Sequence, residues 1–216
     1  MLTLYIGNKN YSSWSLRGWL ACKQSGLPFN EVVAPMWTAE HDALRASGKL
    51  PAGKVPVLWD GDICVWDSLA IVEWLADCVG RDRFWPQDDA ARAFARSIAA
   101  EMHSGFPALR NQAGMNIRRR VPGHVLDADA TADAARVDAL LTEARTRFGS
   151  SGDFLFGAFG AADIMYSAVV TRFVTYGIPM SDQTRTYAEA LYAQSFMAEW
   201  IADAEAEPWV IERYEV

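Results

Sequence analysis

Cysteine is scarce in this chain: Cys22, Cys64 and Cys78 are the only three in 216 residues, no two form a CxxC pair, and an odd count does not suit a secreted disulfide framework. Thiol–disulfide exchange by the chain's own cysteines is therefore not expected. His41 and His124 read as surface residues and lack the partner spacing that would hold a metal, so no metal is expected. Positive charge is also short. Twenty Lys and Arg stand against 27 Asp and Glu, a net charge of −7 that gives no electrostatic footprint for nucleic acid. The one basic cluster, Arg118-Arg119-Arg120, reads as a solvated helix end or an anion contact. No apolar run approaches the roughly 20 residues of a membrane-spanning helix, so no membrane partner is expected. The opening MLTLYIGNKNYSSW has no basic stretch followed by an apolar one, so no secretory signal is read and the expected compartment is the cytoplasm.

What is present is a globular composition, 51% hydrophobic and 22% charged, over a length that fits two packed domains. Leu2, Leu4 and Ile6 alternate with Thr3 and Tyr5, the period of a half-buried strand. Leu16, Trp19 and Leu20 follow at helical spacing, and Gly26 with Pro28 supplies a stop. Phe29 to Val33 reads as a second strand, parallel to the first because a helix crosses between them. Thr38 can cap a short helix ending near Gly48. Lys54 to Trp59 then enters a strand, and Asp60-Gly61 turns into Ile63 to Trp66 as a hairpin. Leu69, Val72, Leu75 and Ala76 return to helical spacing. The order βαβ-α-ββα matches a thioredoxin-like α/β domain over residues 1–80.

Residues 81–88, with Pro86, show no periodicity and read as a linker. Residues 89–216 read as an all-helical domain. Phe94, Ile98, Met102 and Phe106 lie four apart. Val137 to Phe148 marks a second helix, Ile164 to Phe173 a third, and a last long helix runs through Tyr187, Leu191, Phe196 and Trp200.

The sharpest local signal is Val55-Pro56 at a strand's start, followed past the hairpin by Asp67-Ser68 at a helix start. A proline there leaves outward backbone groups for an extended peptide to pair with, and a serine and carboxylate at a helix N-terminus suit the two charged groups of an amino-acid end. In this frame the residues resemble the glutathione site of the cytosolic glutathione transferases. That resemblance, which covers essentially the whole chain including Phe84-Trp85-Pro86, implies glutathione as co-substrate. Val55 and a cis Pro56 would meet its cysteinyl part, and Asp67 and Ser68 its γ-glutamyl end. Ser12-Ser13-Trp14-Ser15-Leu16-Arg17 looks like the SSxSxR stretch of zeta-class transferases, the class that includes maleylacetoacetate isomerase. By that resemblance Ser12, with Ser13 beside it, is the catalytic hydroxyl that stabilises the glutathione thiolate, and Tyr11 is a rival donor.

Trp14 stands where that class carries cysteine, and Asp67 where it carries glutamine. Phe159 to Ile164 resembles the family's helix-capping motif with Gly160 in place of the hydroxyl residue, a structural role for Asp163. The expected pocket for a small hydrophobic electrophile takes in Trp14, Met102, His103, Phe106 and Arg110, with Met115 as further wall and Arg110 or Arg118 for an anionic group. The resemblance implies a homodimeric detoxification enzyme, a glutathione S-transferase. The alternatives are a glutathione-dependent isomerase of the maleylacetoacetate type and a noncatalytic interaction module. A glutaredoxin-like oxidoreductase would need a reactive cysteine where Trp14 and the serines stand.

Overall fold

Strand β1 (Leu2–Ile6) buries Leu2, Leu4 and Ile6 and half-buries Thr3 and Tyr5, as the alternation requires. In this computed structural model, which describes residues 1–215, β1 is parallel to β2 (Phe29–Val33) and antiparallel to β3 (Val57–Asp60). β3 pairs in turn with β4 (Ile63–Val65), giving the order β2-β1-β3-β4. Val216, the last residue of the expected helical domain, lies outside the described residues.

Helix α1 (Ser13–Ser25) starts at the cap Ser12 and ends at Gly26, whose left-handed backbone (φ 70°) a side chain would strain. It packs with α3 (Ser68–Val79) on one face of the sheet, where Leu4, Ile6, Leu16, Trp19, Leu20, Ile71 and Leu75 form the core. Each fully buried side chain of this size contributes about 1.5–3 kcal/mol. Gly18 of α1 is a close-approach residue, since a β-carbon there would stand 2.9 Å from the Pro56 ring. The absence of a side chain lets α1 lie directly on the loop that carries the candidate site. The short α2 (Ala39–Ala46), capped by Thr38, buries none of its residues and stands over the opposite face.

The linker is ordered by burial of Phe84 and Trp85, each 2% exposed. The helical part contains α4 (Asp89–Ser104), α5 (Pro107–Gln112), α6 (Ala128–Phe148), α7 (Ala161–Tyr176), α8 (Asp182–Ala193) and α9 (Ser195–Ala206). Almost wholly buried, α7 packs against both α1 and α4 and so joins the two cores. Asp163 accepts from the backbone N–H groups of Gly160 (2.9 Å) and Leu155 (3.0 Å), the capping role the sequence suggests.

Two helical expectations are corrected. The last long helix is broken at Gln194, whose extended backbone leaves the helix while its side chain accepts from Met197 N and starts α9. Phe106 does not continue α4. Gly105 ends that helix, and Phe106 takes a left-handed conformation (φ 61°) ahead of Pro107, the first residue of α5. No helix among the described residues is long and apolar enough to cross a membrane.

Candidate active site

The Val55–Pro56 peptide is cis and lies on Gly18 of α1. Past the hairpin, Asp67 caps α3 by accepting from Leu69 N (2.9 Å) and Ala70 N (3.3 Å) through Oδ1. Ser68, in the first turn, is fully buried and its Oγ has no partner among the described residues. Val55, Pro56 and Asp67 line one cavity of about 850 Å³, whose other walls include Trp14, Met36, Trp37 and Trp66. Lys54 and Arg45 supply its positive charge.

The three candidate hydroxyls at the start of α1 differ in what they are already bound to. Ser12 Oγ donates to Ser15 Oγ (2.7 Å) and accepts from Ser15 N (3.3 Å), so it is engaged within the helix's own first turn. Tyr11 Oη donates to Glu215 (2.5 Å) and accepts from Arg118 (3.0 Å) and Ile211 N (3.2 Å), which ties it to the C-terminal segment. Ser13 Oγ accepts from Arg172 on α7 (3.4 Å), and its own proton has no acceptor among the described residues.

The expected electrophile-pocket residues are not brought together as one wall. Trp14 alone of the five lines the cavity. Met102 is on the buried face of α4 and Phe106 is 6% exposed at the turn into α5, so both are packing residues. Arg110 is spent on the carbonyls of Gly105 (2.8 Å) and Met102, which close the bend between α4 and α5. Met115 is buried, and Arg118 donates to the carbonyls of Glu207 and Trp209 as well as to Tyr11. His103 does not line the cavity, but its Nε2 lies 2.8 Å from Oδ2 of Asp67, which does. Trp14 meets the His103 ring edge-on at 5.3 Å and covers the Arg17 guanidinium at 3.9 Å.

Arg17 is buried, and burial first, then the like charges of Arg110 and Arg172, lower its pKa to about 9. It remains a cation at neutral pH, and its Nε and Nη2 have no acceptor among the described residues. Burial likewise lowers Arg172 to about 10. His103 is held below its ordinary value chiefly by burial, with Asp67 pulling the other way and Arg17 and Arg110 adding to the depression. The cysteines are free, and burial raises all three thiols, most of all Cys22.

Sequence reasoning missed Trp66, Trp37 and Met36 in the cavity wall, and it placed His41 on the surface although that ring lines the same cavity. The tryptophan next to Asp67 was the available signal, since large apolar side chains flanking a polar motif often form a ligand wall. His103–Asp67 carried no such signal, because residues 36 positions apart meet only where the end of α4 comes beside the start of α3.

The fold and the cavity define a class: a thioredoxin-like domain with a cis proline in its cavity wall, followed by a helical part. Residues 11–78 match the family described as glutathione S-transferase, N-terminal domain. Glutathione S-transferase 1 of Dianthus caryophyllus is 31% identical over 115 residues, 53% of this chain and 51% of that protein, so the chain spans about half the length of this relative. Glutathione S-transferase GstB of Escherichia coli (strain K12) is 26% identical over 188 residues, 82% of this chain and 86% of its own. Among solved structures, the theta-class glutathione S-transferase of Xanthomonas axonopodis pv. citri with glutathione bound superposes with a TM-score of 0.67 at 23% identity, covering 93% of this chain and 96% of that one. An epsilon-class enzyme from Musca domestica gives 0.70 at 19% identity, covering 98% and 100%. Residues 11–78 thus resemble the N-terminal domain of glutathione S-transferases, and the fold of the whole chain is like that of these solved structures. The zeta-class resemblance rests on the serine motif alone.

Proposed function

We propose that this chain is a glutathione S-transferase that binds glutathione along the 850 Å³ cavity and adds its thiolate to a small hydrophobic electrophile. The observation that carries the reading is the convergence of Val55, Pro56, Asp67 and Trp14, far apart in sequence, on one cavity at the N-terminal ends of α1 and α3. The Val55 backbone would pair with the cysteinyl part of the tripeptide. Asp67 would take the γ-glutamyl ammonium, and the unpartnered Ser68 hydroxyl with the first N–H groups of α3 its carboxylate.

A serine at the start of α1 then donates to the sulfur. Ser13 is the better placed of the two candidates, because Arg172 occupies its oxygen and leaves its proton free, whereas the Ser12 proton is bound to Ser15. The thiolate attacks the electrophilic carbon. A C–S bond forms, and the bond to the leaving group breaks with its electron pair. Trp14, Trp37, Trp66 and Met36 offer the apolar surface on which such an electrophile would lie.

The test is glutathione-dependent thioether formation from an aryl halide, followed by absorbance. A noncatalytic module would bind glutathione without accelerating this reaction. A twofold dimer belongs to the same reading, and light scattering that returns the monomer mass at micromolar concentration would remove that part.

A further inference from the structure

His103 is a residue by which the helical domain touches Asp67 of the proposed glutathione site. Its ring stands in the last turn of α4, and its Nε2 lies 2.8 Å from Asp67 Oδ2 across the domain boundary. Oδ1 of Asp67 is already taken by the N–H groups of Leu69 and Ala70. Oδ2 is therefore the oxygen that both His103 and a cation in the cavity must share.

We propose that His103 is a positioning residue for glutathione: in its neutral form it aims the Asp67 carboxylate at the γ-glutamyl ammonium, and on gaining a proton it withdraws that carboxylate from the ligand. This rests on the glutathione-site reading above. The neutral ring donates from Nε2, which leaves Nδ1 as the bare nitrogen, and Nδ1 is buried without a partner. Trp14 holds the ring edge-on at 5.3 Å, so the imidazole cannot swing away without opening the cavity wall.

The charged groups facing His103 are Asp67 at the start of α3, Arg17 from α1 and Arg110 from α5; Glu101, on its own helix, is bound to Arg136. Two of the three are cations. Burial and these cations keep the ring below its ordinary value despite Asp67, so it is neutral at neutral pH. As pH falls through this lowered value the ring gains its proton, and an imidazolium paired with Asp67 leaves the incoming ammonium facing a neutral pair beside two guanidiniums. Glutathione and the His103 proton then bind in competition.

The experiment is calorimetric titration of the full chain with S-methylglutathione, whose blocked thiol cannot titrate, at about pH 7 and about pH 5.5, a range in which neither the ligand's carboxylates nor its ammonium change charge appreciably. The expected result is a dissociation constant roughly five- to tenfold higher at the lower pH for the unmodified chain, as suits a partly exposed charge pair. His103→Gln, which keeps an N–H donor but does not titrate, should hold the two constants within about twofold. His103→Asn serves the same purpose should the glutamine variant not fold.

A purely structural role would change both constants equally and keep their ratio. A ratio that persists in both variants, or that is absent from the unmodified chain, overturns the proposal. Asp67→Asn separates the two levels. If it leaves the constant at about pH 7 unchanged, the glutathione-site reading itself fails and takes this proposal with it. If it weakens binding while the His103 variants keep the unmodified ratio, only the role of His103 fails.

Discussion

Arg172, buried on α7, donates to Ser13 in the first turn of α1, Nη2 to Oγ at 3.4 Å, so the helical domain sets the environment of a hydroxyl in the other domain. Its Nε and Nη1 are fixed on the carbonyls of Ala113 (2.8 Å) and Ala168 (2.9 Å), and the guanidinium is held in that one pose. A serine whose oxygen accepts from a cation is a stronger donor to a thiolate than an isolated one.

Ser13→Ala should for this reason act on the bound thiol. Lowering a thiol from about 8.5 by two units takes roughly 2.7 kcal/mol. A helix N-terminus supplies about 0.3–1 kcal/mol, up to about 2 when partly buried, whereas a hydrogen bond to a charged group supplies about 1.5–3. Loss of the hydroxyl should raise the thiol pKa by about one to two units and cut turnover near neutral pH about ten- to a hundredfold, with recovery in alkaline buffer. Thiolate absorbance against pH measures the shift. Ser12→Ala should instead cost the cap, about 1 kcal/mol of stability. A pH profile displaced by Ser12→Ala and not by Ser13→Ala would reverse the assignment of the donor.

Lys9 pins the domains together. Its Nζ lies 2.9 Å from Glu31 on β2 and 2.6 Å from Asp203 on α9, between the rings of Trp19 and Trp200 at 5.1 and 5.3 Å. The lysine is buried, but Asp203 is 48% exposed, so solvent screens part of the pairing. Lys9→Met should lower the unfolding free energy by about 1–3 kcal/mol, less than a fully buried pair would lose. Urea unfolding measures it, and an unchanged midpoint and slope would show the contact to be incidental.

Asp163 gives a pH dependence of stability. Burial raises its pKa to about 6, outweighing the N–H groups of Leu155 and Gly160 that favour the charge. A folded-state value above the unfolded one, near about 3.9, means that the fold holds the proton more tightly. The associated stabilisation is complete below about pH 4 and is lost as pH rises through about 6. The stability advantage of the unmodified chain over Asp163→Asn should accordingly shrink by about 2–3 kcal/mol between about pH 4 and pH 7. A constant difference across that range would place the carboxyl's pKa in the fold near its unfolded value.

The first domain was legible because its signals are local. The alternation of β1, the Thr38 cap and the Asp67 cap each lie within a few residues and appear where their pattern puts them, whereas the hairpin turn falls one residue later than Asp60-Gly61, on Gly61-Asp62, because Asp60 still pairs with Ile63. The helical domain was legible as helices but not in its breaks. Gln194 interrupts a continuous apolar period through a side-chain cap, and helical spacing at Phe106 does not reveal that Gly105 has already ended α4. The site divided the same way. Val55, Pro56 and Asp67, singled out by spacing, line one cavity, but the pairing of His103 with Asp67 and of Arg172 with Ser13 depends on how α4 and α7 dock, which no local pattern encodes. Nor does position in the motif tell Ser12 from Ser13, since only the fold shows which proton is already bound.

The most direct test of the central claim is calorimetric titration of the chain and of Asp67→Asn with glutathione at about pH 7, with turnover measured at saturating glutathione. Asparagine remains a good helix cap, so the substitution removes the charge and spares α3. Because Asp67 would contact the end of the tripeptide remote from the sulfur, the account predicts saturable binding by the unmodified chain, about tenfold weaker binding by the variant, and turnover at saturation within about twofold. No saturable heat with the unmodified chain, or equal affinities for the two proteins, would contradict it.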